Sequence, residues 1–165
     1  MTANLNAARE LRASGRHEEA RTLLAALAAA APHDAELQYE TACVHDFLGL
    51  EPQAIPYYLA ALAGELADGL RRSAYTGLGS TYRTLGRYAE AEQILQEALR
   101  RYPRAAEVRV FLAMVQHNLG QSKAAVESLL ALLAQTSSDP EIKAYATAIE
   151  FYAQDIERVW PAAAG

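Results

Sequence analysis

A chain of 165 residues has the size of one domain, and at that length folding buries about 70% of the surface that the unfolded chain exposes. Its 52% hydrophobic fraction is drawn largely from alanine and leucine, which favours helix over strand and sets an all-α expectation. The net charge of −5 supplies no positive field for a phosphate backbone, which argues against a nucleic-acid partner, and the lone cysteine, Cys43, excludes an intrachain disulfide or a cysteine metal cluster.

The chain opens at Met1 to Asn6 without the charged start and apolar run of a leader. Its most apolar stretch, Leu23 to Ala31, is far shorter than the roughly 18 residues of a membrane span and reads as a core helix. These features, with a single thiol, point to a reducing cytoplasm and to no membrane partner. A repeat then organises the chain. Gly15, Gly49, Gly86 and Gly120 are separated by 34, 37 and 34 residues, an interval typical of stacked helix pairs. Five residues after each glycine stands Ala20, Ala54, Ala91 or Ala125, and nine after it Leu24, Tyr58, Leu95 or Leu129. Seven before it stands Ala8, Ala42, Gly79 or Ala113.

Glycine ends a helix in the left-handed conformation, and small residues let two helices cross closely. This register predicts first helices near residues 2–14, 35–48, 71–85 and 105–119, and second helices near 17–31, 51–65, 88–101 and 122–135. Asp34 is placed to cap the second of the first helices. The second unit has three extra residues, with Gly64, Asp68 and Gly69 near its end, so a longer and looser connection is expected there. Asp139-Pro140-Glu141 is a strong helix start. A ninth helix is expected from it to about 160, with Ile142, Tyr145, Ile149, Tyr152, Ile156 and Trp160 forming one apolar stripe. The stripe caps the last unit or, in the alternative, pairs two copies of the chain as a homodimer.

The run Leu85-Gly86-Arg87-Tyr88-Ala89-Glu90-Ala91, followed by Pro103, resembles a tetratricopeptide repeat. Gly15 to Ala20 with Pro32, Gly49 with Ala54, and Gly120 with Ala125 stand in the same frame. Leu78 to Gly86, Val110 to Ala113 and His117 to Gly120 are similar to the bacterial group 5 tetratricopeptide-repeat family. The resemblance implies one domain over 1–165: a right-handed superhelix, or α-solenoid, of repeats at about 1–34, 35–71, 72–105 and 106–139, with a capping helix at about 140–160. It also implies a role in holding proteins or peptides, with no catalytic residues and no cofactor. If first helices line a concave face, as the resemblance implies, the residues facing into it are Arg9, Arg12, Tyr39, Cys43, Asp46, Phe47, Thr76, Ser80, Arg83, Thr84, Val110, Met114, His117 and Asn118. Tyr39 and Phe47 would anchor apolar groups, and Arg9, Arg12 and Arg83 would grip carboxylates. The alternative is that the arginines pair with Glu36, Asp46 or Glu107 on neighbouring first helices. Relatives that clamp a ligand's terminal carboxylate use lysines and asparagines on first helices; Arg9 stands here instead, so that specificity is not carried over.

Other constellations are weak. Gly77-Leu78-Gly79 lacks the third glycine of a phosphate loop and falls inside a helix. His45 and Asp46 diverge by about 100° on a helix, too far to share a metal. His17, His33 and His117 are scattered, and no serine stands in a nucleophile elbow. Arg100, Arg101 and Arg104 complement a helix C-terminus without needing a partner. The sequence therefore reads as a protein-binding adaptor without chemistry of its own.

Overall fold

The computed structural model describes residues 2–160, with side chains from Asn4 onward. Met1 and residues 161–165 of the expected domain lie outside the described residues. The chain divides into two compact units, Met1–Pro103 and Arg104–Gly165. The first holds three helix pairs: α1 (Thr2–Ala13) with α2 (His17–Ala30), α3 (Ala35–Phe47) with α4 (Glu51–Ala63), and α5 (Asp68–Thr84) with α6 (Tyr88–Arg101). The second holds α7 (Ala106–Asn118), α8 (Ser122–Thr136), α9 (Pro140–Ala144) and α10 (Ala146–Tyr152). Among the described residues there is no strand.

The turn between the helices of each pair is built four times in the same way. Gly15, Gly49, Gly86 and Gly120 have φ of +78°, +71°, +72° and +80°, the left-handed region where a Cβ would strain the backbone. The residue after each glycine donates its N–H to the carbonyl five residues back, as Arg16 does to Leu11 at 2.9 Å and Arg87 to Tyr82 at 2.9 Å. The orphan carbonyls of the helix end are thereby satisfied. Asp34 caps α3 as expected, its carboxylate accepting from the Leu37 N–H at 3.0 Å.

In the first unit Ala8, Ala20, Leu24, Ala28, Leu37 and Val44 form one buried cluster, flanked by Leu5, Leu11, Leu23, Leu27, Leu48 and Tyr57. The alanines allow close crossing, and the leucines fill the space beside it. α3 also fastens itself to the helix before it: the Gln38 amide donates to the carbonyls of Ala28 at 3.4 Å and Pro32 at 3.3 Å. His45 is buried beside Tyr57 of α4, with 5.1 Å between ring centroids, and its Nδ1 lies 2.8 Å from the Thr41 carbonyl. That is structural packing rather than ligation. In the second unit Val108, Ala113, Val115, Ala125 and Leu132 are buried.

Two expectations fail. The connection after α4 is not longer than the others: it spans residues 64–67, against 31–34 and 102–105 elsewhere, and the three extra residues lengthen α5, which starts at Asp68. Burial of Leu66 pins this connection. The Arg71 guanidinium, reaching back from α5, donates to the carbonyls of Leu62 at 2.8 Å and Gly64 at 2.6 Å at the free end of α4. The expected ninth helix is also interrupted. Asp139 caps it, accepting from the N–H groups of Glu141 and Ile142. The helix breaks at Tyr145, where ψ is 4°, and resumes as α10 to end at Tyr152. The break turns the segment back along α8, where Lys123 pairs with Asp155 and the Ile156 N–H donates to Glu127 at 3.2 Å. The expected stripe is thus divided: Ile142 and Ile149 are half-buried, and Tyr145, Tyr152, Ile156 and Trp160 are exposed.

Candidate functional site

Within the first unit, α1, α3 and α5 carry ten of the residues assigned to a groove, and six of them, on α1 and α3, fall into three overlapping groups. The first centres on Glu40, which is buried on α3. Arg9 donates through Nε to Glu40 at 2.7 Å and through Nη2 to Glu36 at 2.6 Å, and Arg12 donates through Nη1 to the other oxygen of Glu40. These bonds raise the Arg9 guanidinium above its ordinary value, the bond to Glu36 contributing most. The pairing of Arg9 with Glu36 was one of the two sequence expectations; the role of Glu40 was not foreseen. Glu36 and Glu40 stand one turn apart on one helix, opposite Arg9 and Arg12 on another. That matched spacing was the available signal.

The second group is a polar network between α3, α4 and α5. Asp46 accepts from the Tyr58 hydroxyl at 3.3 Å, and its second oxygen lies 3.0 Å from the Thr81 hydroxyl. Tyr58 is also 3.9 Å from the Cys43 sulfur, and its ring is 6.5 Å from that of Tyr39. Burial pushes the Tyr39 and Tyr58 hydroxyls and the Cys43 thiol upward. Burial raises Asp46 too, against the opposing pull of its bonds from Thr81 and Tyr58. Asp46 is thus committed to holding three helices together. For an acid raised above its ordinary value of 3.8, the folded state binds the proton more tightly than the unfolded state, so its contribution falls as pH rises through the folded value. Asp46→Asn is therefore expected to gain stability relative to wild type as pH rises from about 4 toward 7. Urea unfolding of both proteins across that range checks it, and a constant difference would remove the charge from the argument.

The third group is an open recess of about 330 Å³ lined by Arg9, Arg12, Ala13, His17, Glu40 and Phe47. Phe47 is 66% exposed at the end of α3, and its ring lies 4.1 Å from that of His17 at the start of α2. Among the described residues Arg12 engages only Nη1, on Glu40, so its Nε and Nη2 remain free to donate. His17 and Ala13 were missed because they flank the interhelical turn rather than lie on a first-helix face.

Thr76, Ser80, Arg83 and Thr84 lie along α5, outside both the network and the recess; the Thr76 hydroxyl donates to the Arg72 carbonyl. In the second unit, Val110 is exposed, Met114 half-buried, and His117 and Asn118 exposed on α7. His117 Nδ1 lies 3.0 Å from the Ser122 hydroxyl. Among the described residues, no group of three or more His, Cys, Asp or Glu is placed to hold a metal ion. No described helix is long and apolar enough to cross a membrane.

With four left-handed glycine turns joining stacked helix pairs, the comparison with known families is decisive: the tetratrico peptide repeat family matches residues 35–156, and a second tetratricopeptide repeat family matches residues 2–26. The chain belongs to the tetratricopeptide-repeat family. Three solved tetratricopeptide-repeat-like structures illustrate the shared fold. The crystal structure of MamA is 17% identical with a TM-score of 0.68, covering 89% of this chain and 92% of that one. The pilF protein of Pseudomonas aeruginosa is 21% identical with a TM-score of 0.68, covering 93% and 68%. A thermophilic tetratricopeptide-repeat protein of Thermus thermophilus is 24% identical with a TM-score of 0.63, covering 91% and 81%. At these identities the likeness concerns the fold alone. None of the curated proteins matches the sequence. Proteins of the tetratricopeptide-repeat family serve as protein-interaction modules, which makes a face for a protein partner the relevant kind of site.

Proposed function

We propose that this tetratricopeptide-repeat chain is a cytoplasmic adaptor without catalytic activity, with residues 1–165 working as one binding domain. Its first helices hold an extended segment of a protein partner. In the first unit the anchor is the recess of Phe47, His17 and Arg12. An apolar or aromatic side chain of the ligand covers Phe47, and a carboxylate meets the free donors of Arg12. Thr76, Ser80, Arg83 and Thr84 on α5 offer further contacts to the ligand chain. Val110, Met114, His117 and Asn118 are the corresponding face of the second unit.

The observation that carries this reading is the exposure of Phe47: 66% of a phenylalanine stands in water beside an open cavity and a guanidinium with donors to spare. A side chain so exposed adds little to the fold, and its position at the rim suits an anchor. Peptides selected from a random display library on the wild-type protein are expected to bind Phe47→Ser about tenfold or more weakly, a loss of ~1.4 kcal/mol or more. The variant's unfolding midpoint should stay unchanged. Peptides that bind both proteins equally would place the ligand elsewhere.

A further inference from the structure

α10 packs against α8, but the segment that carries it has little apolar surface to hold it there. α9 and α10 have five and seven residues, too few for a helix that stands alone in water, so they depend on what they pack against. Within residues 139–160 only Ala153 is buried, and Ile142, Ala146, Ile149 and Asp155 are half-buried. Two of the four apolar residues withdrawn from water are thus alanines, while larger side chains stand outside, Tyr145 and Val159 among them. α3 is seated differently on α2: it buries Leu37, Gln38, Thr41 and Val44 and donates from Gln38 to the Ala28 carbonyl.

The polar ties to α8 converge on one residue. Lys123 pairs with Asp155, with Glu157 at 3.4 Å and with Glu127 of its own helix at 3.8 Å, and Glu127 accepts from the Ile156 N–H at 3.2 Å. α8 contains no other lysine or arginine. Without Lys123 the Glu127 carboxylate would face those of Asp155 and Glu157 with no cation of α8 between them. The aromatic contacts of the segment, in contrast, are internal to it. Phe151 and Tyr152 of α10 pack on Trp160 at 5.4 and 5.6 Å between ring centroids, and Arg158 stands over the Trp160 ring at 5.1 Å. These contacts hold the segment to itself and would survive its detachment.

We propose that residues 139–160 form a strap latched to α8 by Lys123, which opens as one body about residues 137–138 while α7 and α8 stay folded. Ser137 and Asp139 are extended, with ψ of 135° and 125°, so the strap is already outside the hydrogen bonding of α8 where the two join. Opening breaks no helix and costs only the thin apolar seam and the latch, which puts it at the low end of the chain's local stabilities. A single exposed ion pair contributes little. Here one cation offsets three carboxylates across a seam half made of alanine, so its charge decides the balance. Lys123, Asp155 and Glu157 are substantially exposed, and about 1 M salt, with a Debye length of ~3 Å, therefore favours the open strap, in which Lys123 and Glu127 are bared.

Native-state hydrogen exchange of the full chain, resolved by nuclear magnetic resonance, tests this. In about 0.1 M NaCl the bonded amides of Ile149 and Ala153 are expected to be at least about tenfold less protected than those of α8, and in about 1 M NaCl to lose protection further while α8 keeps its own. Lys123→Glu should cost the strap amides about fivefold or more and leave α7 and α8 within about twofold. Glutamate in the first turn of α8 suits the helix dipole, so the substitution does not itself weaken that helix. Lys123→Glu with Asp155→Lys, which turns the pair around, should recover most of the loss. The proposal is overturned if the strap amides of wild type exchange only as slowly as those of α8, or if Lys123→Glu leaves them unchanged. It is equally overturned if the loss spreads to α7 and α8, or if the reversed pair restores nothing.

Discussion

Gly77→Ala is expected to destabilise the first unit by roughly 1–3 kcal/mol, a fall of several degrees in its thermal midpoint, although alanine is the better helix former. Gly77 lies within α5, and a Cβ there would stand 2.5 Å from the Tyr58 oxygen, 2.7 Å from Cζ and 2.9 Å from Cε1. The neighbour that would have to move is a ring rather than a flexible chain end. Tyr58 is 3% exposed, its hydroxyl donates to Asp46 at 3.3 Å, and the Thr81 hydroxyl beside it lies 2.8 Å from the Gly77 carbonyl. Displacing the ring would strip a bond from the half-buried Asp46 carboxylate as well as crowd the crossing of α4 and α5. The gain in helix propensity is at most ~1 kcal/mol, so the clash wins. Gly69→Ala is the matched control, because a Cβ there meets nothing within 4 Å and the substitution acts on the backbone alone. Thermal unfolding of the two variants beside wild type should move them in opposite directions; equal midpoints for Gly77→Ala and wild type would mean that Tyr58 can shift freely.

The same glycine shows where reading the sequence stopped. The interval of Gly15, Gly49, Gly86 and Gly120 was legible because one backbone conformation recurs and few residues tolerate it. The close-crossing alanines were legible because their spacing from those glycines is constant. Gly77 carries no such periodicity. It could be set aside as a phosphate-loop fragment, but its task of making room for Tyr58 depends on a residue nineteen positions away in another helix. The early start of α5 was hidden for a similar reason: Gly64 and Gly69 suggest a loose joint, whereas Arg71 and the burial of Leu66 make it a tight one. The break at Tyr145 was hidden because the stripe from Ile142 to Trp160 has a continuous helical period, and the pull of Lys123 on Asp155 that accompanies the turn is a long-range contact. At the candidate site, helix periodicity placed Arg9, Arg12 and Phe47 on one face. It did not separate Cys43 and Asp46, which are half-buried among structural partners, from Phe47, which is exposed.

Glu40→Ala is expected to cost roughly 1–3 kcal/mol in urea unfolding, whereas Glu36→Ala should cost less than about 1 kcal/mol. Both carboxylates pair with Arg9, but their surroundings differ. The Glu40 side chain is 9% exposed and receives Arg9 and Arg12 together, while that of Glu36 is 45% exposed and receives Arg9 alone. Removing Glu40 leaves two guanidiniums without their shared acceptor. They are 40% and 31% exposed, so water recovers part of the loss, which keeps the cost below the ~3–5 kcal/mol of a fully buried broken pair. Salt should separate the two variants further, because raising NaCl to about 1 M screens the exposed pair more than the buried one. An Arg12→Ala/Glu40→Ala double-mutant cycle should return a coupling of about 1 kcal/mol or more, and additivity would show that Arg12 and Glu40 do not support each other in solution. Under the proposed function the pair also matters for binding, since Glu40 holds the Arg12 guanidinium that lines the Phe47 recess. A display-selected acidic peptide should therefore bind Glu40→Ala less tightly than wild type even where the variant is fully folded. Unchanged affinity would leave Glu40 a role in the stacking of α1 on α3 alone, because losing the fixed orientation of Arg12 would then cost the ligand nothing.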